Sequence, residues 1–205
     1  MLHPDKWETT AFSHEYVFMI ISWNHLEQAA QRLLLARLGG SNEAWMVVTE
    51  MGNKMLPNAV RATSKTLEDR ELVAHIDHFL KAYELLLSKR NYWAHGLLGV
   101  IPEADDNPQC AGWIKTVSAK GTFKYSEDRI LVADLQQFFA DASAFSNFGE
   151  AILNALQGEN EYWAELRENL GKSPPSLERP PLPGALSKQT REVPVHWLRP
   201  PTSQE

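Results

Sequence analysis

The chain reads as a mainly α protein: an antiparallel helical bundle with a small β-hairpin inserted before its last long helix. Three observations predict this. Apolar residues recur at three- and four-residue steps over three long segments, 11–38, 67–95 and 133–156. Glycines stand where the first two of these should stop, at Gly39-Gly40 and Gly96. Between the second and third segments the helical period lapses into short runs flanking a turn-like Ala119-Lys120-Gly121 step. Hydrophobic residues make up 43% of the 205 residues, enough to build a core under such a bundle.

Each element has its own signal. In the first helix Phe12, Tyr16, Met19, Ile20, Trp23, Leu26, Ala30, Leu33 and Leu34 form the apolar stripe. Asn42 is placed to cap a second, shorter helix running to about Met51. Pro57 marks either a break or the first turn of a short helix over 58–65. The helix over 67–95 carries Leu72, Ile76, Phe79, Leu80, Tyr83, Leu86 and Leu87 on one stripe, with Thr66 or Asp69 as its cap. A short apolar run at 97–101 leads into an acidic, proline-bounded loop at 102–108. The hairpin is expected at 112–126, from strands over 113–118 and 122–125. In the last long helix Leu135, Phe138, Phe139, Ala142, Phe145, Phe148, Ile152 and Leu156 face the core, and Gly149 weakens it slightly. Residues 159–170 fit a short amphipathic helix.

The composition shifts after Gly171, so residues 1–171 are read as the bundle and 172–205 as a tail. Eight prolines fall in the tail, which reads as extended or disordered, unable to be helical or to pair in a sheet because proline lacks the amide donor. Within it, 193–201 is apolar enough to dock as an extended peptide.

Charge and cysteine content narrow the functional classes. The net charge is −6; the tail carries +2, which leaves −8 on residues 1–171. Duplex DNA is an unlikely partner for such a surface, since sequence-independent duplex binding depends on many cations. A single cysteine, Cys110, excludes an internal disulfide and points to a cytoplasmic protein. No apolar run suits a bilayer, and the N-terminus lacks the pattern of a signal peptide.

The chemistry concentrates in Lys89-Arg90-Asn91-Tyr92-Trp93-Ala94-His95-Gly96, on the last turns of the 67–95 helix. Arg90 offers a permanent cation with a planar fork of donors suited to phosphate. His95 can move protons near neutral pH. Asn91 can hydrogen-bond a phosphate oxygen or orient the histidine. Together they suit metal-free cleavage of RNA by its own 2′-hydroxyl. Residues five apart lie about 140° apart around an ideal helix, so the pair needs either a distorted last turn or a second copy to converge. The plainer reading is that both cations only offset the negative end of the helix dipole.

The Arg-x4-His spacing, with Asn91 directly after Arg90, resembles the Arg-x4-6-His signature of the HEPN superfamily. The resemblance implies a helical bundle that homodimerises, with two motifs lining one cleft. It further implies a metal-independent endoribonuclease, with Arg90 and His95 as the motif residues and Asn91 as the polar residue following the arginine. No cofactor or metal is implied. RNA would be the substrate, and an antitoxin or other protein a partner, as in toxin, defence or RNA-processing members. Non-catalytic dimerisation, adaptor and ligand-binding members make the alternative.

Other features weigh less. Glu27 can pair with Arg90 or orient His95 if the first and third long helices pack, though a solvated glutamate is the simpler reading. His75, Asp77 and His78 offer too few ligands for zinc, which favours surface histidines, with Glu71 and His75 an i, i+4 pair. Trp93, inside the motif, can wall a cleft or anchor a dimer. There is no Gly-rich phosphate loop.

Overall fold

The computed structural model describes residues 11–95, 97–100, 110–118, 124–157, 168–169, 171, 177–185 and 190–192. The side chains of residues 11–13, of His95 and of the strand residues other than Ile130 and Leu131 lie outside that description. The protein is mainly helical. Its elements are α1 (Ala11–Arg37), α2 (Asn42–Thr49), α3 (Leu56–Ser64), α4 (Arg70–His95), β1 (Leu97–Val100), β2 (Cys110–Ser118), β3 (Lys124–Leu131), α5 (Val132–Gln157) and β4 (Thr190–Glu192).

Local chemistry sets the helix ends. Gly39 and Gly40 take φ of 82° and 67°, and the Gly40 amide donates to the Leu35 carbonyl at 3.0 Å. That closes α1 in the left-handed conformation glycine adopts most readily. Ser41, not Asn42, caps α2: its Oγ accepts from the Ala44 amide at 3.2 Å, and Asn42 is the first helical residue. Pro57 lies in the first turn of α3, where its missing amide proton costs nothing. Asp69 caps α4, accepting from the amides of Glu71 and Leu72 at 2.9 and 3.0 Å.

The three long helices alternate in direction. Trp23 of α1 meets Tyr83 of α4, and Trp93 and His75 near opposite ends of α4 meet Phe138 and Phe148 of α5, so α4 runs antiparallel to both neighbours. The most extensive packing is between α1 and α5. Those two run parallel, because Glu15 bonds Gln136 near their starts and Arg32 bonds Glu150 further along. An all-antiparallel bundle is therefore not the whole description. Three long helices joined in alternation must leave the first and third co-directional. The core is a single cluster built from all five helices and Ile130.

At Gly149 the three long helices approach closely. A β-carbon there would stand 2.8 Å from Phe79 Cε2 and 3.0 Å from Ala29 Cβ. The residue that weakens α5 as an isolated helix is what lets α1 and α4 reach it.

The three strands between α4 and α5 form an antiparallel sheet that β4, from beyond α5, extends, in the order β1-β2-β3-β4. Leu97 pairs with Lys115, Ser118 with Lys124, and Tyr125 with Arg191. The connection over 119–123 lies outside the described residues. The sequence reading did not anticipate β1 or β4, and β4 corrects the view that the tail cannot join a sheet. Thr190–Glu192 lies clear of the prolines at 183 and 194, so every residue in it keeps its amide donor. The expected helix at 159–170, the acidic loop and the segment 193–201 fall largely or wholly outside the described residues. Among the described residues, no helix is long and apolar enough to cross a membrane.

Candidate functional site

The late turns of α4 place Arg90 against α1. Its guanidinium carbon lies 6.0 Å from the centroid of the Trp23 ring, within reach of a cation–π interaction. Its Nη1 donates to Asn91 Oδ1 at 3.0 Å. Its Nε is buried with no hydrogen-bond partner among the described residues. Trp23, wholly buried, donates its indole N–H to Glu27 Oε2 at 3.1 Å and packs its ring 5.0 Å from that of Tyr83. The arginine therefore stands at the rim of a box made by Tyr16, Trp23 and Glu27 of α1 and Tyr83 of α4.

The electrostatics of the box follow from that packing. Burial raises the Glu27 carboxyl above its ordinary range, and the Trp23 hydrogen bond and Arg90 charge pull partly the other way. Burial likewise raises Tyr16, with Arg90 opposing. Tyr83 is raised further, first by burial and then by the nearby Glu27 carboxylate, again with Arg90 opposing. Its hydroxyl is buried without a hydrogen-bond partner among the described residues. Glu27 is thus a half-buried, bonded carboxylate rather than the solvated one expected, because Trp23 one turn earlier gives it a donor inside the helix contact.

The structure brings Arg90 and Asn91 together. His95 is the last residue of α4, and its side chain lies outside the described residues. α4 runs from Arg90 to His95 as one helix. Five residues of regular helix turn them about 140° apart with a rise of about 7.5 Å. Trp93 is a core residue, 6% exposed with its ring 5.6 Å from Phe138, rather than the wall of an open cleft. Of the box residues only Glu27 was singled out on functional grounds; Tyr16, Trp23 and Tyr83 read as ordinary core stripe positions.

A second polar cluster lies near the other end of α4. Residues 177–185, without regular secondary structure, lie across α4 and α5. The Arg179 Nε–H donates to His75 Nδ1 at 3.1 Å, and His78 Nε2 donates to the Pro180 carbonyl at 2.8 Å. Both imidazoles also pack on α5: His75 lies 5.7 Å from Phe148, and His78 lies 5.6 Å from Phe145. Pro183 is buried. A cavity of about 350 Å³ opens between Ala144, Asn147 and Phe148 of α5 and residues 178–181. His75, at 9% exposure, is therefore not a surface histidine. The i, i+4 spacing to Glu71 was legible, and that pair stands 3.9 Å apart, but the partner 104 residues away was not. Among the described residues no three of His, Cys, Asp and Glu gather as metal ligands would.

Comparison with protein-family models, with curated proteins and with solved structures gave no match to this chain.

Proposed function

We propose that this chain is a metal-independent endoribonuclease of the HEPN kind, with a HEPN-like bundle and a hairpin insertion, acting as a homodimer. The observation that supports the reading is Arg90 itself: a cation braced by Asn91 and the Trp23 ring on the same helix as His95. In the proposed reaction the RNA 2′-hydroxyl loses its proton to one His95 and attacks phosphorus. The P–O5′ bond breaks, and the leaving oxygen takes a proton from the His95 of the second copy. Arg90 stabilises the charge that builds on the phosphorane oxygens. The products are a 2′,3′-cyclic phosphate and a free 5′-hydroxyl. The proposed dimer supplies two proton-transfer groups, one His95 from each copy. A protein antitoxin is the expected class of partner, and the RNA it acts on is the substrate.

The test is cleavage of a mixed RNA pool by purified full-length protein in EDTA, with end-group analysis of the products. His95→Ala and Arg90→Ala should each abolish cleavage while the protein stays folded. Absence of cleavage by the wild type, or full activity of His95→Ala, would overturn the reading. One observation favours a second reading, a non-catalytic HEPN-like dimerisation, adaptor or ligand-binding module. The buried Nε, the Asn91 bond and the Trp23 contact are also what a purely structural arginine tying α4 to α1 would show. In that case Arg90→Ala lowers the unfolding midpoint and there is no activity to lose.

A further inference from the structure

We propose that residues 177–183 form a proton-released strap, docked across the α4–α5 groove while His75 is neutral and freed when His75 takes up a proton. Two of the hydrogen bonds between the strap and α4 differ in a way that singles out His75. A carbonyl oxygen only accepts, so His78 must carry its proton on Nε2 to bond Pro180. A second proton on His78 leaves that donor in place. A guanidinium N–H only donates, so His75 must keep Nδ1 unprotonated to bond Arg179. Protonating His75 turns its acceptor into a donor facing another donor, and sets two positive charges at hydrogen-bond distance.

The surroundings of His75 determine the direction of the response. Burial, chiefly, and then the Arg179 charge hold its protonation below the ordinary 6.5, with His78 adding slightly in the same sense. Glu71 and Asp69 of α4 pull the other way, but Glu71 is 84% exposed and its carboxylate is screened. From α5 the neighbour is the uncharged Phe148 ring, and from the strap Glu178 adjoins Arg179. A docked His75 therefore binds its proton less readily than an undocked one. Docking is fully favoured above the ordinary histidine value and weakens as pH falls below it. Release would uncover the groove that Phe145, Phe148, Ala144 and Asn147 contribute to. The distance along α4 from His75 to Arg90 is about 22 Å, so the strap works independently of any chemistry at Arg90.

The experiment is hydrogen exchange on the full chain at about pH 7.5 and about pH 5.5, corrected for the intrinsic pH dependence of exchange, reading peptides that span 177–185 and peptides of the α4–α5 core. Wild-type strap protection should fall several-fold, with a ceiling of about tenfold for one proton taken up about one pH unit below the ordinary 6.5, while core protection is kept. His75→Asn keeps an acceptor at the same place without a titrating ring, and should hold the strap at both pH values. His78→Gln keeps the donor to Pro180 and should leave the pH response as in wild type. Equal strap protection at both pH values, loss of core protection together with the strap, an unchanged response in His75→Asn, or a response abolished by His78→Gln would each overturn the proposal.

Discussion

Gly149→Ala sets two known effects against each other at one atom. On an isolated helix the change is stabilising by about 0.8–1 kcal/mol. At this position the added carbon meets Phe79 Cε2 at 2.8 Å and Ala29 Cβ at 3.0 Å. Carbon atoms in ordinary contact stand about 3.5–4.0 Å apart, so roughly 0.5 Å or more must be recovered on two sides at once. Neither neighbour yields easily. Phe79 is fully buried, and the Ala29 carbon is fixed to the α1 backbone. Overpacking costs about 1–3 kcal/mol, and a clash on two sides belongs in the upper half of that range, about 2–3, which leaves a net loss of about 1–2 kcal/mol after the propensity gain. For a chain of this size that is about 2–8 °C in Tm. The assay is guanidinium unfolding, with the midpoint lowered at constant m. Ala29→Gly removes one of the two obstructions, so the double variant should be more stable than the two single losses sum to. A Gly149→Ala protein as stable as wild type, or more so, would show that the helices can part without cost and would refute the packing argument.

Two further perturbations read the Arg90 box. Tyr83→Phe removes a buried hydroxyl that has no hydrogen-bond partner among the described residues, so stability should hold or rise by up to about 1 kcal/mol; a clear loss in thermal unfolding would mean that the hydroxyl is bonded in solution. Glu27 holds its proton more tightly in the folded state than the ordinary 4.5, so its contribution to stability is present below that value and is lost as pH rises through the raised one. Glu27→Gln keeps an acceptor for the Trp23 indole and removes this titration, so denaturation midpoints across an acid-to-neutral series should decline less with rising pH than in wild type, and parallel curves would sink the assignment.

How far the sequence carried depended on the distance over which each interaction acts. The three long helices and their apolar stripes were legible because the signal repeats every turn, and Pro57 in a first turn and Asp69 as a cap were each legible as one of two alternatives because a cap acts within three residues. Ser41 was passed over for Asn42 by a single position, the usual uncertainty of a helix end. The closeness of Gly149 to Ala29 and Phe79 was not legible, since a glycine in a helix looks like a weakness until its neighbours are known. The Arg90–Asn91 contact follows from adjacency, whereas the placing of Arg90 over Trp23 depends on how α1 crosses α4. His75 and His78 were misjudged for the same reason: their partners are 104 and 102 residues away in a segment whose prolines suggested a free tail. Prolines forbid the ladder only where they stand: β4 uses residues between them, and the strap uses the Arg179 guanidinium and the carbonyl that Pro180 keeps.

The parallel pairing of α1 with α5 also has a meaning in time. The bonds that join them span 121 and 118 residues, so the largest helix contact in the protein is among the most distant along the chain. At about 5–20 residues per second, a ribosome takes roughly 6–24 s to make that interval. Throughout it α1 has its apolar stripe formed and its principal partner missing. α2, α3 and α4 arrive earlier, and of these α4 covers the Trp23 side. The nascent chain is thus a partial bundle with an open seam, and the insertion of α5, with its narrow Gly149 face, fills the groove left along α1 and α4.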